Sequence, residues 1–365
     1  MKNRVKNIKE LTKEIKKISL SLGKINIMEI CGTHTMAIGK YGLRQLLPEN
    51  INLISGPGCP VCVTPTADID SVIDLVLNNN IILYSFGDLL KVPGSKMSLI
   101  EAKSINPKIK ICYSPLDALD FAINNPSKKI VFVAIGFETT APLTASIIKK
   151  VFDLKLKNLF IYNTHKLVPP AILFLLNSNK KIKVDAFLCP GHVCAVIGSK
   201  PFEFISQNFK KPAVISGFGA EDILSSILMI LLQLKENKPK TEIQYKTVVK
   251  EHGNLVALDF INDVFRPKNS NWRGIGEIPD SGLEIQEKYS YYDAKKVFNI
   301  IEKPVEEPKN CQCGNILQGI IKPFQCKLFG KDCIPESPVG PCMVSSEGTC
   351  AAYFKYEKYS KSYIS

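Results

Sequence analysis

The chain has 365 residues, 45% hydrophobic and 22% charged, a balance that excludes a fibrous or disordered protein and leaves room for two or three domains. Its formal net charge of +13 invites a nucleic-acid reading, but only four of the 47 basic residues are arginines (Arg4, Arg44, Arg266, Arg273). The lysines are scattered without the Arg–aromatic interleaving that stacks bases, so a solvated Lys-rich surface is the expectation and nucleic acid is not an expected partner.

In chain order, Val5, Ile8, Leu11, Ile15, Ile18 and Leu22 recur at three- and four-residue steps and predict an amphipathic opening helix. This charged start has no apolar signal region, and the most apolar stretch, Ile223 to Leu234, is too short and too interrupted to span a membrane; a soluble, cytoplasmic protein is expected. From Ile25 to Lys235, short runs rich in Ile and Val alternate with loops of Gly, Pro, Ser and Cys and then with helical segments, the pattern of parallel βα units. Strands are predicted at Ile25–Ile30, Ile51–Ser55, Ile81–Phe86, Ile109–Tyr113, Ile130–Ile135, Leu159–Tyr162, Val184–Leu188 and Ala213–Ser216. They imply an α/β fold of two doubly wound lobes, 1–124 and 125–240, with the polar stretch 124–129 as their junction. Residues 241–310 read as a connecting region with strand-like runs such as Leu255–Phe260 and a loop at Trp272–Gly276. Residues 311–365 read as a small irregular domain. No phosphate-cradling glycine motif stands among these elements.

The reactive residues fall just after predicted strands, where open α/β sheets bind ligands at the strands' carboxyl ends. Cys31 and His34 follow the first, Cys59 and Cys62 the second, Asp88 the third, Glu138 the fifth, His165 the sixth, and Cys189 and His192 the seventh. All are expected to converge on one rim. Cys31 and His34 sit in a strand-to-helix turn, where a helix N-terminus favours the thiolate; a Cys–His nucleophile and metal ligation are both open. Cys59 and Cys62 form a C-x-x-C among turn formers, close enough for a disulfide or a shared metal. Asp88 and Glu138 add carboxylates that either cap their helices or serve the cleft.

The strongest signal is the run Cys311-x-Cys313-x12-Cys326-x6-Cys333-x8-Cys342-x7-Cys350. It holds half of the chain's 12 cysteines in a segment with few large apolar residues, so a metal or cross-links must hold it together. Four thiolates suit a 4Fe-4S cluster or zinc; irregular spacing without repeated C-x-x-C pairs leans toward the cluster, and leaves two thiols as a dithiol. A thiol–disulfide oxidoreductase working through Cys59 and Cys62, and a zinc-stabilised binding module, are the competing readings.

Eight strings, MEICGTHTMAI, LISGPGCPVCVTP, SFGDLLKVPG, AIGFETTAP, HKLVPPA, PGHVCAVIG, NWRGIGEIPDSGL and PVGPCMVSSEGTCAAY, spread from Met28 to Tyr353, closely resemble the HypD family of [NiFe]-hydrogenase formation proteins. The resemblance implies two Rossmann-like lobes plus a cluster domain. It also implies a scaffold that, with the small chaperone HypC, holds an iron while cyano groups from HypE and a carbonyl are attached, before transfer to the hydrogenase large subunit. By the family pattern Cys31 ligates, or helps ligate, that mononuclear iron together with a cysteine of HypC, with Cys59 and Cys62 as a neighbouring dithiol able to touch iron or carry electrons. Cys311, Cys326, Cys333 and Cys350 then hold the 4Fe-4S cluster, and Cys313 and Cys342 form a redox pair between cluster and cleft. Two positions depart from the pattern: Cys194 replaces a hydroxyl residue, and Gly219-Ala220 replaces Glu-Pro.

Overall fold

The computed structural model describes residues 7–178, 183–301, 303, 305, 307–308 and 310–358. Val5, the first apolar position of the predicted opening helix, and the final residues 359–365 of the predicted C-terminal domain lie outside them. The opening helix runs Ile8–Ser19, started by a capping box in which the Asn7 side chain accepts from Glu10 N and Glu10 reaches back to Asn7 N.

Eleven strands are present among the described residues: β1 Ile25–Glu29, β2 Ile51–Ser55, β3 Ile81–Ser85, β4 Ile109–Ile111, β5 Lys129–Ala134, β6 Leu159–Asn163, β7 Ala186–Pro190, β8 Ala213–Ser216, β9 Thr241–Ile243, β10 Phe265–Trp272 and β11 Gly276–Ile285. Two parallel sheets form, in the orders β2-β1-β7-β8-β9 and β4-β3-β5-β6. Each sheet reverses direction beside its first strand, between β1 and β7 and between β3 and β5, so each has one switch point where the flanking loops diverge and leave a crevice.

The strands stand where the sequence puts them, but the lobes are not divided as expected. β3 pairs with β5 across residues 124–129, so that stretch lies inside the second sheet and is no junction. β1 pairs with both β2 and β7, which inserts the whole second sheet between two strands of the first. Hydrophobic periodicity marks a strand without naming its partner, and this is why the pairing escapes the sequence.

Alternation assigns the faces. Ile27, Leu53, Leu188 and Val214 point from the first sheet toward helices Ile8–Ser19 and Ala220–Glu236. Met28, Phe187 and Ile215 point the other way, onto a core that includes Cys59, Cys62, Trp272 and the cysteines of 311–350. Residues 241–310 are more than a connection: β9 completes the first sheet, and β10–β11 form an antiparallel hairpin. The run Leu255–Phe260, read as a strand, is the start of helix Leu255–Val264, because the Asn254 side chain accepts from Ala257 N and caps it. The helix and hairpin place Ile261, Val264, Phe265 and Leu283 against the second sheet. No helix among the described residues is long and apolar enough to cross a membrane.

Candidate thiol and metal site

The loop after β1, at the switch point of the first sheet, and the loop after its neighbour β2 both carry thiols. After β1, Ile30 N donates to Leu188 O on β7, holding the chain extended into Cys31, which precedes helix Gly32–Lys40 with φ −161°. The loop after β2 lies directly on it. Gly32 N donates to Gly58 O at 2.9 Å, and a Cβ at Gly58 would stand 2.4 Å from the Cys31 Cα, so only glycine permits this approach. One residue later Cys59 heads the short helix Pro60–Val63 and its Sγ accepts from Cys62 N. Cys59 and Cys62 are joined as a disulfide with Cα atoms 5.2 Å apart, and both are buried.

Aromatic and imidazole rings line the same crevice. His34 is fully buried and its Nε2 lies 3.0 Å from the Gly217 carbonyl, an acceptor only, so Nε2 carries the hydrogen and donates. Its Nδ1 is then a bare acceptor, buried without a partner. Burial pushes His34 down to about 4, keeping it neutral. Phe218 stacks on His34 at 4.5 Å and on His192 at 3.9 Å between ring centroids, near-parallel in both cases, so it is sandwiched between them. Burial lowers the pKa of His192 too, against the pull of the Glu347 carboxylate.

Glu138 reaches this neighbourhood from β5. Its Oε1 accepts from Val168 N at 2.8 Å, while Oε2 is buried and unpartnered. Burial raises it to about 7, so it holds its proton up to neutral pH. Cys194, buried in the core, feels Cys189, Glu138 and Cys31 together, which sets all four in one region. The expected thiolate at Cys31 is not found. N–H groups of Thr33 and His34 do favour the anion, but burial and then the charge of Glu347 raise the thiol to about 11.

Two predicted residues stand outside. His165 has both ring nitrogens engaged, Nδ1 with Asn163 and Nε2 with Thr140 Oγ1 at 3.0 Å, which makes it a brace for the loop that carries Glu138 into helix Ala141–Asp153. Asp88 is exposed in the first turn of the short helix Gly87–Leu90.

The six C-terminal cysteines pack into a small module against the Cys59–Cys62 bridge. A Cβ at Gly340 would touch Cys311 Sγ at 2.5 Å and Cys313 Sγ at 2.6 Å, which measures how closely those sulfurs crowd the backbone. Cys313 lies within interaction range of the thiols of Cys311, Cys342 and Cys350. Cys333 accepts from Val339 N at 3.4 Å and lies within electrostatic range of Cys311 and Cys326. Cys62 Sγ stands 3.9 Å from the carbonyl oxygen of Pro341, next to Cys342. The thiols are unequal: the neighbouring Cys313 and then the Arg273 guanidinium lower Cys311 to about 7, whereas Cys342 and Cys350 are raised. Among the described residues no three His, Cys, Asp or Glu already stand as a finished metal cage. The donor set nonetheless fits an iron–sulfur group: six sulfurs, all at least half-buried, belong to or pack against one apolar cluster.

Three contributors were not singled out from sequence. Trp272 at the hairpin tip stacks on Phe137 and donates from Nε1 to Ser281. Arg273 beside it is buried, with Nε on Glu307 at 2.7 Å and its own N–H on Val63 O, so the tip clamps the C-x-x-C helix. Glu347 accepts from Thr33 Oγ1 at 2.6 Å and brings a carboxylate to Cys31. It stands inside the string PVGPCMVSSEGTCAAY, between Cys342 and Cys350.

Comparison with known proteins places this arrangement. The family model described as HypD, hydrogenase formation hypA family, matches residues 6–357. The chain is 44% identical to the hydrogenase maturation factor HypD of Rhodobacter capsulatus, over 95% of each chain. It is 42% identical to the hydrogenase maturation factors HypD of Cupriavidus necator, over 92% of this chain and 90% of that one, and of Escherichia coli, again over 92% and 90%. The eight strings, the two switch-point crevices and this coverage agree: the chain belongs to the HypD family of hydrogenase maturation factors.

Proposed function

We propose that the protein is the scaffold on which the iron of a [NiFe]-hydrogenase acquires its cyanide and carbonyl ligands, in complex with HypC and with HypE as cyano-group donor. The observation that carries the reading is the continuity of sulfur: Cys31 touches the Gly58–Cys59 loop, and Cys62 in turn abuts Pro341 and Cys342 of the six-thiol module. In this reading Cys31 ligates the cargo iron, a soft donor suited to a ferrous ion with strong-field ligands. Cys59 and Cys62 cycle between bridge and dithiol beside it. Glu138 holds a proton at neutral pH, and neutral His34 and His192 keep positive charge away from the incoming cation. Cys311, Cys326, Cys333 and Cys350 would hold the 4Fe-4S cluster, which supplies one-electron chemistry when bound, with Cys313 and Cys342 as the thiol pair facing the bridge.

The test is an anaerobic preparation of the complex with HypC, measured by infrared and Mössbauer spectroscopy. Cyanide and carbonyl stretches that vanish in Cys31→Ser while the cluster signal persists support the scaffold. A retained cluster with no such stretches in the unmutated complex overturns it. The formed Cys59–Cys62 bridge favours one second reading, a thiol–disulfide oxidoreductase, which requires that Cys31→Ser leave exchange activity intact.

A further inference from the structure

The thiol module meets the Cys31 turn at one polar contact that neither the strings nor the iron reading assigns. Thr33 Oγ1 donates to Glu347 Oε1 at 2.6 Å, joining residues 314 apart in sequence. The backbone around it leaves no slack. A Cβ at Gly32 would stand 2.4 Å from Glu347 O and 2.7 Å from Glu347 Cβ, and one at Gly348 would stand 2.2 Å from Cys342 O. Glu347 therefore lies at the crest of a tight turn: its N–H donates to Ser345 Oγ, Gly348 N donates to Ser345 O, and helix Thr349–Glu357 follows with Cys350 in its first turn. That helix packs along helix Gly32–Lys40, fixed at its far end by the Arg44–Glu357 ion pair.

We propose that Glu347 is a positioning residue for Cys31. It ties the first turn of helix Gly32–Lys40 to the turn between Cys342 and Cys350, so that the Cys31 sulfur is held in place only when that turn is formed. The agent is the hydrogen bond. A carboxylate beside a thiol opposes its ionisation, so charge alone would give this residue no constructive role at Cys31. The contact makes the far end of the chain a structural part of the site and passes any rearrangement at Cys342 or Cys350 to Cys31.

The inference rests on the reading of Cys31 as the working thiol, and its test needs no iron, so the two fail separately. Amide hydrogen exchange over residues 31–36 and the rate of Cys31 alkylation by iodoacetamide are measured on the full chain under anaerobic conditions. Glu347→Ala is expected to raise exchange there about tenfold, the equivalent of one net hydrogen bond to a charged group, and to change the alkylation rate in parallel. Glu347→Gln, whose amide oxygen accepts the same bond, is expected to restore protection although the charge is gone. Thr33→Val is expected to reproduce Glu347→Ala, and the double variant to add nothing further. Exchange in helix Ala220–Glu236 reports global folding; if Glu347→Ala fails to fold, Thr33→Val against Thr33→Ser asks the same question from the other partner. Unchanged exchange in Glu347→Ala and Thr33→Val, or a Glu347→Gln variant that behaves like Glu347→Ala, overturns the proposal.

Discussion

The protonated state of Glu138 has a measurable price in pH dependence. Its carboxyl is buried with one oxygen on Val168 N and the other without a partner, and burial lifts its pKa from 4.5 to about 7. The folded state thus prefers the neutral acid. The stability this gives is fully present below the unfolded value and is lost as pH rises through about 7. At about 1.4 kcal/mol per pKa unit, the rise from 4.5 to about 7 corresponds to about 3 kcal/mol by pH ~8. Glu138→Gln is neutral at every pH and keeps an oxygen for Val168 N. Anaerobic urea titrations of both proteins across this range should coincide near pH ~4.5 and diverge as pH rises, with the variant more stable by about 3 kcal/mol at pH ~8. Parallel curves would refute the burial argument, because the carboxyl would then be titrating as though exposed.

Other expectations follow from single contacts. Arg44→Met leaves the buried Glu29 carboxylate without its cation and is expected to cost about 3–5 kcal/mol in denaturant titrations, with Glu29→Gln in the same chain recovering part of it. Gly58→Ala drives a methyl into the Cys31 backbone, so the melting temperature should fall, by the equivalent of about 1–3 kcal/mol, and Cys31 should label faster with iodoacetamide. Trp272→Ala empties a fully buried site against Phe137 and is expected to cost about 3–5 kcal/mol by the same titration. Iron chelation of an anaerobic preparation should speed limited proteolysis within 311–350 and spare helix Ala220–Glu236; equal rates before and after would count against a metal holding that segment together.

Much of this was legible in the sequence because the signals are local. Strand positions follow from Ile- and Val-rich runs, and the placing of Cys31, Cys59 and His192 at strand ends follows from the βα pattern itself. What could not be read is long-range. Nothing in residues 124–129 says that β3 will pair with β5 across them, since side-chain periodicity carries no label for a partner. Leu255–Phe260 is a strand-like apolar run until the Asn254 cap is counted. His165 stands where a ligand would stand and is used up by Asn163 and Thr140, which only coordinates reveal. At Cys31 a helix start favours the thiolate, but burial, which only the fold reveals, is the larger effect. Glu347 was invisible for the opposite reason: it is an ordinary acidic residue in a turn until the fold carries it to Thr33.

The insertion of one sheet within the other has a consequence for biosynthesis. β1 and β2 leave the ribosome early, but β1's other neighbour, β7, begins at Ala186, so the first sheet waits while the second is translated and can fold. The turn against Cys31 is made later still, when Glu347 emerges. A nascent chain that ends short of Ala186 therefore shows an exposed edge on β1, and one that ends short of Glu347 an unfinished Cys31 turn, and chaperone or protease capture would act on these intermediates first.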